Sequence, residues 1–198
     1  MRAHRKAIEL DPKYASAHAN LGLSYLIDWG SQWSNDPRTL DRAFQLEQQA
    51  IALDDSLAFA HRVLAETYLS KKQYDQASAE VERAIALDPN SAVGYRGLAE
   101  IMGFSGKPAE AVGMAEKAMR LDPRNRDFYL FFEGWSYTQM GRYEEAISIL
   151  KRHPASYPNS FAAHDQLIVD YSELAARTRR GRKRRKSCGL VLTSLWMS

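Results

Sequence analysis

The stretch Ala84–Pro89, which reads AIALDP, decides how this sequence folds. Three further segments end in nearly the same letters: Ala7–Pro12 (AIELDP), Ala50–Asp55 (AIALDD) and Ala118–Pro123 (AMRLDP). Successive segments end 43, 34 and 34 residues apart, and Pro158 follows Pro123 by 35 residues. A period of this length predicts an array of structural repeats, the first of which is nine residues longer than the others.

Each repeat is predicted to contain two helices. The first carries a leucine, a small residue directly after it and a tyrosine three positions after the small residue, as in Leu64, Ala65 and Tyr68. Residues three or four positions apart lie on one stripe of a helix. The second carries alanines seven residues apart, such as Ala77 and Ala84, which let two helix axes approach closely. The Asp-Pro pair then ends the second helix and begins the next repeat.

This pattern resembles the tetratricopeptide repeat (TPR) family, whose motif is a 34-residue helix-turn-helix. The resemblance covers about residues 1–174 and implies an all-α fold, a right-handed α-solenoid of about four complete units with partial units at both ends. The predicted boundaries are 1–12 (a second helix only), 13–57 (with the nine-residue insertion), 58–91, 92–125, 126–160, 161–174 (the first helix of a broken unit) and the tail 175–198.

The first long repeat is also similar to TPR regions that follow bacterial class III nucleotide cyclase domains and winged-helix regulators. The similarity lies in the insertion Trp29–Pro37, in Arg42–Phe44 and in Ala50–Ser56. We expect the insertion to lengthen a helix pair and to pack Trp29 and Trp33 on the neighbouring unit. We expect Pro154 to shorten the second helix of the fourth complete unit.

The tail 175–198 differs in composition from the rest of the chain. It holds eight Lys and Arg and no acidic residue, so residues 1–174 have a net charge of −5 while the whole chain has +3. Because a second helix should follow Leu174, we interpret the tail as a frame-shifted and poorly ordered segment. Its basic run Arg179–Lys186 is also typical of nucleic-acid binding, a weaker alternative that the acidic body does not favour.

The sequence contains no motif of a catalytic, cofactor-binding or metal-binding site. The three histidines His18, His61 and His164 occupy one position in successive first helices, where a large packing side chain is expected rather than a metal ligand. The single Cys188 cannot form an internal disulfide and is typical of a reducing, cytoplasmic environment. We therefore predict no enzymatic activity, no cofactor and no membrane span.

The TPR resemblance implies a concave groove that is lined by the first helices. Arg62 and Arg96 occupy equivalent positions, as do Glu66 and Glu100; they form either intrahelical pairs four residues apart or a polar ladder that receives a peptide. The predicted lining is Asn20, Leu23, Phe59, Arg62, Glu66, Arg96, Glu100, Phe128, Phe131, Trp135, Gln139, Asp165, Gln166 and Val169.

The predicted function is a non-catalytic scaffold that binds a protein or peptide in this groove. The alternative is the regulatory C-terminal part of a larger bacterial signalling protein, whose activity resides in an upstream effector domain. Because both terminal units are incomplete, self-association through them is a further expectation.

Overall fold

The computed structural model describes residues 1–31, 36, 38–152 and 160–195, with side chains as far as residue 180 in the last range. These residues form helices and turns without any strand, which confirms the all-α prediction. The helices are α1 (Arg2–Leu10), α2 (Ala15–Gly30), α3 (Thr39–Leu53), α4 (Ala58–Ser70), α5 (Tyr74–Leu87), α6 (Ala92–Phe104), α7 (Pro108–Leu121), α8 (Arg126–Gln139), α9 (Tyr143–Leu150) and α10 (Phe161–Leu195), with a 3-10 turn at Pro123–Asn125.

The chain forms two compact units, Met1–Arg124 and Asn125–Ser198. In the first unit α2 pairs with α3, α4 with α5, and α6 with α7. Helix α3 also packs on α4, and α5 packs on α6, while α1 packs on α2 in the same way. Successive first helices touch as well, so that α4 contacts both α2 and α6. Each helix pair therefore packs on its neighbours in addition to packing within itself.

The repeated aspartate shapes the connection between helix pairs. The side chain of Asp54 accepts a hydrogen bond of 3.0 Å from the backbone N–H of Ser56, and Asp11 and Asp88 make the same contact two residues ahead. This local hydrogen bond competes with the backbone hydrogen bonds that a longer helix would need, so α3 ends here. The Ser56 hydroxyl, 2.6 Å away, also accounts for the lowered pKa of Asp54.

Alanines fill the closest contacts between helices. Those at the repeated positions of α3, α5 and α7 are buried, and Ala43, Ala50, Ala77, Ala111 and Ala118 have no solvent exposure. Between the paired helices the chain turns through the left-handed region at Lys72 (φ 60°) and Gly106 (φ 81°). Glycine adopts this conformation without strain, whereas the lysine adopts it at some cost.

The second unit comprises α8, α9 and α10. Helix α9 has only eight residues, in agreement with the predicted shortening of this second helix. Pro154, on which that prediction rests, lies outside the described residues. Between α8 and α9 the chain turns at Gly141, which has a φ of 69°.

The structure differs from the predicted helix boundary at residue 174, because α10 continues to Leu195. That the tail 175–198 is poorly ordered stays a prediction. The segment contains no proline and is rich in Arg, Lys and Leu, which have high helix propensity. Arg177 contributes a specific contact: its guanidinium donates to the carbonyl of Gly141 at 2.8 Å and lies over the ring of Tyr143.

Candidate functional site

Four charged side chains form a continuous chain of ion pairs across α4 and α6 in the first unit. We call Arg62, Glu66, Arg96 and Glu100 the charged ladder. Within α4 an N–H of Arg62 donates to Glu66 at 2.8 Å, and within α6 Arg96 donates to Glu100 at 2.8 Å. Arg96 also donates to Glu66 at 2.7 Å, which joins the two helices. The intrahelical pairs, one of the two alternatives that the sequence left open, are therefore present, and Arg96 links them across the two helices.

The ladder lies in a sheltered but accessible position. Its side chains are between 14 and 28% exposed. The guanidinium of Arg62 lies 5.0 Å from the ring centroid of Phe59, a cation–π contact that holds it against the helix. Burial raises the pKa of Glu100, although Arg96 opposes this effect by its positive charge. The face thus combines fixed charges with one aromatic ring.

Asn20, the remaining polar residue predicted to line the groove in the first unit, lies on α2. Its side-chain amide donates to the backbone carbonyl of Ser16 at 2.7 Å. This local hydrogen bond holds the amide against its own helix.

The second unit holds the other predicted lining residues. On α8, Phe131 and Trp135 are partly buried, while Phe128 and Gln139 are exposed. The ring of Phe131 meets Phe132 edge-on with centroids 5.3 Å apart, and Phe128 meets Phe132 at 5.9 Å. The aromatic side chains therefore form one cluster on this helix.

On α10 the two predicted polar residues differ in environment. Asp165 is exposed, while Gln166 is partly buried and hydrogen-bonded to the carboxylate of Asp170. Asp170 is fully buried, accepts a hydrogen bond of 2.7 Å from Thr138 and has its pKa raised by burial. Removal from water therefore opposes its ionisation.

Sequence reasoning missed a buried carboxyl group in the first unit. Glu47 of α3 has no solvent exposure, and the hydroxyl of Thr67 donates to its Oε1 at 2.9 Å. Burial raises the pKa of Glu47 to about 8. A Cβ atom at Gly22 would lie 2.8 Å from its Cγ, so glycine is needed there. The signal was present, because Glu47 stands where the next repeat has Val81.

The predicted packing role holds for two of the three histidines. His18 and His61 are buried, and each lies 3.0 Å from the backbone carbonyl six residues earlier. The other ring nitrogen of His61 is 2.7 Å from Glu80. His164 is exposed. Among the described residues no cluster of His, Cys, Asp and Glu could hold a metal ion.

Comparison with known proteins gives matches to two tetratricopeptide repeat family models, over residues 58–91 and 105–168. "Putative adenylate cyclase 3" of Rhizobium meliloti (strain 1021) is 38% identical over 77 residues, which are 38% of this chain and 13% of that protein. The chain thus spans only a small part of the length of this curated relative.

Solved TPR structures share the fold. TTC0263, a thermophilic TPR protein in Thermus thermophilus, superimposes with a TM-score of 0.68 at 17% identity over 87% of each chain. YrrB, a TPR protein with an unusual peptide-binding site, superimposes with a TM-score of 0.58 at 22% identity, over 88% of this chain and 85% of its own. MamA superimposes with a TM-score of 0.60 at 23% identity, over 79% of this chain and 86% of its own.

The helix pairs and these matches define a class of protein, the helical-repeat scaffolds that mediate protein interactions. Within that class, residues 58–91 and 105–168 match the tetratricopeptide repeat family models. The predicted solenoid of helix-turn-helix units is thereby confirmed. In the described part of the chain no helix is long and apolar enough to cross a membrane.

Proposed function

We propose that this protein is a non-catalytic scaffold that binds an extended segment of another protein along the charged ladder. The observation that carries the proposal is the hydrogen-bonded chain of four sheltered charges across two successive first helices. Paired repeats that present the same two charges offer a regularly spaced surface, which suits a peptide better than a compact small molecule.

Energetics favour a binding role for the ladder over a purely structural one. Ion pairs that remain partly hydrated contribute about 0–1 kcal/mol each to stability. Sheltering four charged groups costs desolvation free energy that such pairs scarcely repay. A guanidinium has five N–H donors, and the described hydrogen bond to Glu66 uses one of those of Arg62. Backbone carbonyls of a bound peptide are suitable acceptors for the others.

A selection experiment tests this proposal. The purified chain is used to select binders from a phage-displayed library of random linear peptides, and the affinity of a selected peptide is then measured by fluorescence polarisation. Arg62→Ala and Arg96→Ala are each expected to weaken binding roughly tenfold or more, as hot-spot residues do. Arg83→Ala is the matched control, because Arg83 is exposed on a second helix and pairs with Asp55.

Two outcomes would contradict the ladder assignment. The first is that no peptide is enriched above an unrelated helical protein. The second is that the ladder variants bind every selected peptide as tightly as the wild-type chain and the Arg83→Ala control do.

A second candidate function is the regulatory C-terminal part of a larger bacterial signalling protein. The observation that favours it is the 38% identity to part of a bacterial adenylate cyclase relative. In this case the effector activity resides in another domain, and the helix pairs regulate or localise it. Sequencing the genomic DNA upstream of the Met1 codon tests this: an in-frame cyclase or DNA-binding domain supports it, and an in-frame stop codon directly upstream contradicts it.

A further inference from the structure

The two ends of the charged ladder differ from its centre in their ion pairs. Glu66 accepts hydrogen bonds from both Arg62 and Arg96, and Arg96 donates to both Glu66 and Glu100. Within the described part of the chain, the one ion-pair partner of Arg62 is Glu66, and that of Glu100 is Arg96. The ladder is therefore a row of alternating charges with a singly paired guanidinium at one end and a singly paired carboxylate at the other.

The repeat explains why Arg62 has a single partner. Arg96 pairs with Glu66 of the preceding first helix, so the equivalent second partner of Arg62 would be residue 23 of α2. That residue is Leu23, which packs with Phe59 against one apolar cluster and has no hydrogen-bond acceptor in its side chain. Arg62 thus has an aromatic ring on one side and one carboxylate on the other.

The same comparison applies to Glu100. Glu66 receives Arg96 from the next first helix, and the position of Arg96 is occupied by the uncharged Phe131 in the following repeat. Burial raises the pKa of Glu100, so the charge of Arg96 offsets only part of the cost of removing this carboxylate from water. The side chain is nevertheless 28% exposed. A second cation can therefore approach it and would stabilise its ionised form.

We propose that a bound peptide supplies both second partners, an acidic side chain for Arg62 and a basic side chain for Glu100. This inference rests on the proposed peptide binding and adds the charge pattern of the ligand. A ligand carboxylate completes at Arg62 the arrangement that Arg96 already has with its two glutamates. A ligand cation likewise gives Glu100 the two cations that Glu66 has.

The geometry of the ladder limits the spacing of the two ligand charges. Packed helix axes lie about 8–10 Å apart, and four residues along a helix rise about 6 Å. Glu100 lies one first helix and four residues beyond Arg62 in the repeat, so the ends are separated by roughly 12 Å. At about 3.3 Å per residue, an extended peptide spans this distance when its two charges are roughly three to five residues apart.

The sequences of the peptides selected by display give the first test. On the wild-type chain, an acidic and a basic residue at this spacing are expected more often than in the unselected library. Selection on Arg62→Gln should lose the preference for the acidic residue and keep that for the basic one, and Glu100→Gln should do the reverse. The control Arg83→Ala should keep both preferences, because Arg83 pairs with Asp55 outside the ladder. Preferences that are absent on the wild-type chain, or unchanged on both ladder variants, would overturn the proposal.

Double-mutant cycles with one selected peptide test each contact separately. Replacing the acidic residue of the peptide by its amide is expected to weaken binding to the wild-type chain roughly fivefold or more in fluorescence polarisation. The same replacement should leave binding to Arg62→Gln unchanged, because the pair is already lost, and should still weaken binding to Glu100→Gln. Replacing the basic residue should show the opposite pattern. Equal losses on all three chains would contradict the assignment, and circular dichroism verifies that each variant is folded.

The outcomes separate this inference from the proposed function. Peptides that require Arg62 and Arg96 but show no coupling at either end would overturn the charge pattern and leave the ladder as a peptide-binding site. The absence of any ladder-dependent peptide would overturn both proposals. Because the two ends are tested independently, one unfolded variant still leaves the contact at the other end to decide.

Discussion

The two units of the molecule bury the same repeat positions but differ on the face of the first helices that carries the predicted groove residues. In the first unit Arg96 and Glu100 flank the small Ala99, and in the second Phe131 and Trp135 stand at the equivalent places beside Gly134. The small residue is buried in both. The packing of paired helices therefore constrains the small position, while the neighbouring positions differ between the units.

A second difference lies beneath that face. Gly22 in the first unit accommodates the carboxyl side chain of Glu47, and Gly134 in the second accommodates the apolar side chain of Leu150. Both large residues are fully buried. The same glycine position thus gives an interface that responds to pH in one unit and an apolar interface in the other.

The largest expected effect is the pH dependence that Glu47 gives to the first unit. Burial raises its pKa from an ordinary 4.5 to about 8, so the folded state binds the proton more tightly than the unfolded state. Its contribution to stability is complete below pH 4.5 and is lost as the pH rises to about 8, on the order of a few kcal/mol. Glu47→Gln should flatten this slope.

The measurement is urea unfolding between about pH 5 and about pH 9. Glu100 and Asp170 also have raised pKa values and remain in the variant, so only part of the slope should disappear. Parallel pH profiles for the wild-type chain and Glu47→Gln would show that Glu47 ionises normally in the folded protein.

The next effect sharpens the comparison of the two glycine positions. An added Cβ at Gly134 would lie 2.6 Å from Cγ of Leu150, so Gly134→Ala should destabilise the protein by about 1–3 kcal/mol. At Gly113 no atom from outside its own stretch of helix lies within 4 Å of an added Cβ, so Gly113→Ala should stabilise it by about 0.5–1 kcal/mol. Urea midpoints that shift equally for the two variants would contradict the close-packing account.

The smallest expected effect concerns the stability contributed by the ladder. Glu66 receives hydrogen bonds from both Arg62 and Arg96, so Glu66→Gln removes the charge at the centre. We expect a loss below about 1 kcal/mol in the free energy of unfolding, since partly hydrated ion pairs contribute little. A loss of several kcal/mol would make the ladder a structural element and would remove the energetic argument for binding.

Much of the fold followed from the sequence because a repeat shows one set of constraints several times. The period and the alanine positions predicted the helix pairs, and Pro154 predicted the early end of α9. The burial of Glu47 was harder to foresee, since a glutamate on an amphipathic second helix usually faces water, and its place becomes clear only from alignment with Val81 and Leu150. The repeat boundary at Leu174 gave no sign that α10 continues to Leu195, which the helix propensity of the Arg, Lys and Leu residues favours.

For the candidate site, the sequence identified the four ladder residues and their intrahelical pairs but did not predict the contact between the two helices. That contact depends on the distance between α4 and α6, which places Arg96 within 2.7 Å of Glu66. Residue types along one helix do not contain this information.

The most direct test of peptide binding by the first-helix face is a nuclear magnetic resonance titration of the labelled chain with a peptide selected by display. The account predicts that the largest shifts occur at the guanidinium Nε–H groups of Arg62 and Arg96 and along α4 and α6. Shifts confined to the second helices α5 and α7, with both guanidinium signals unchanged at saturation, would contradict it.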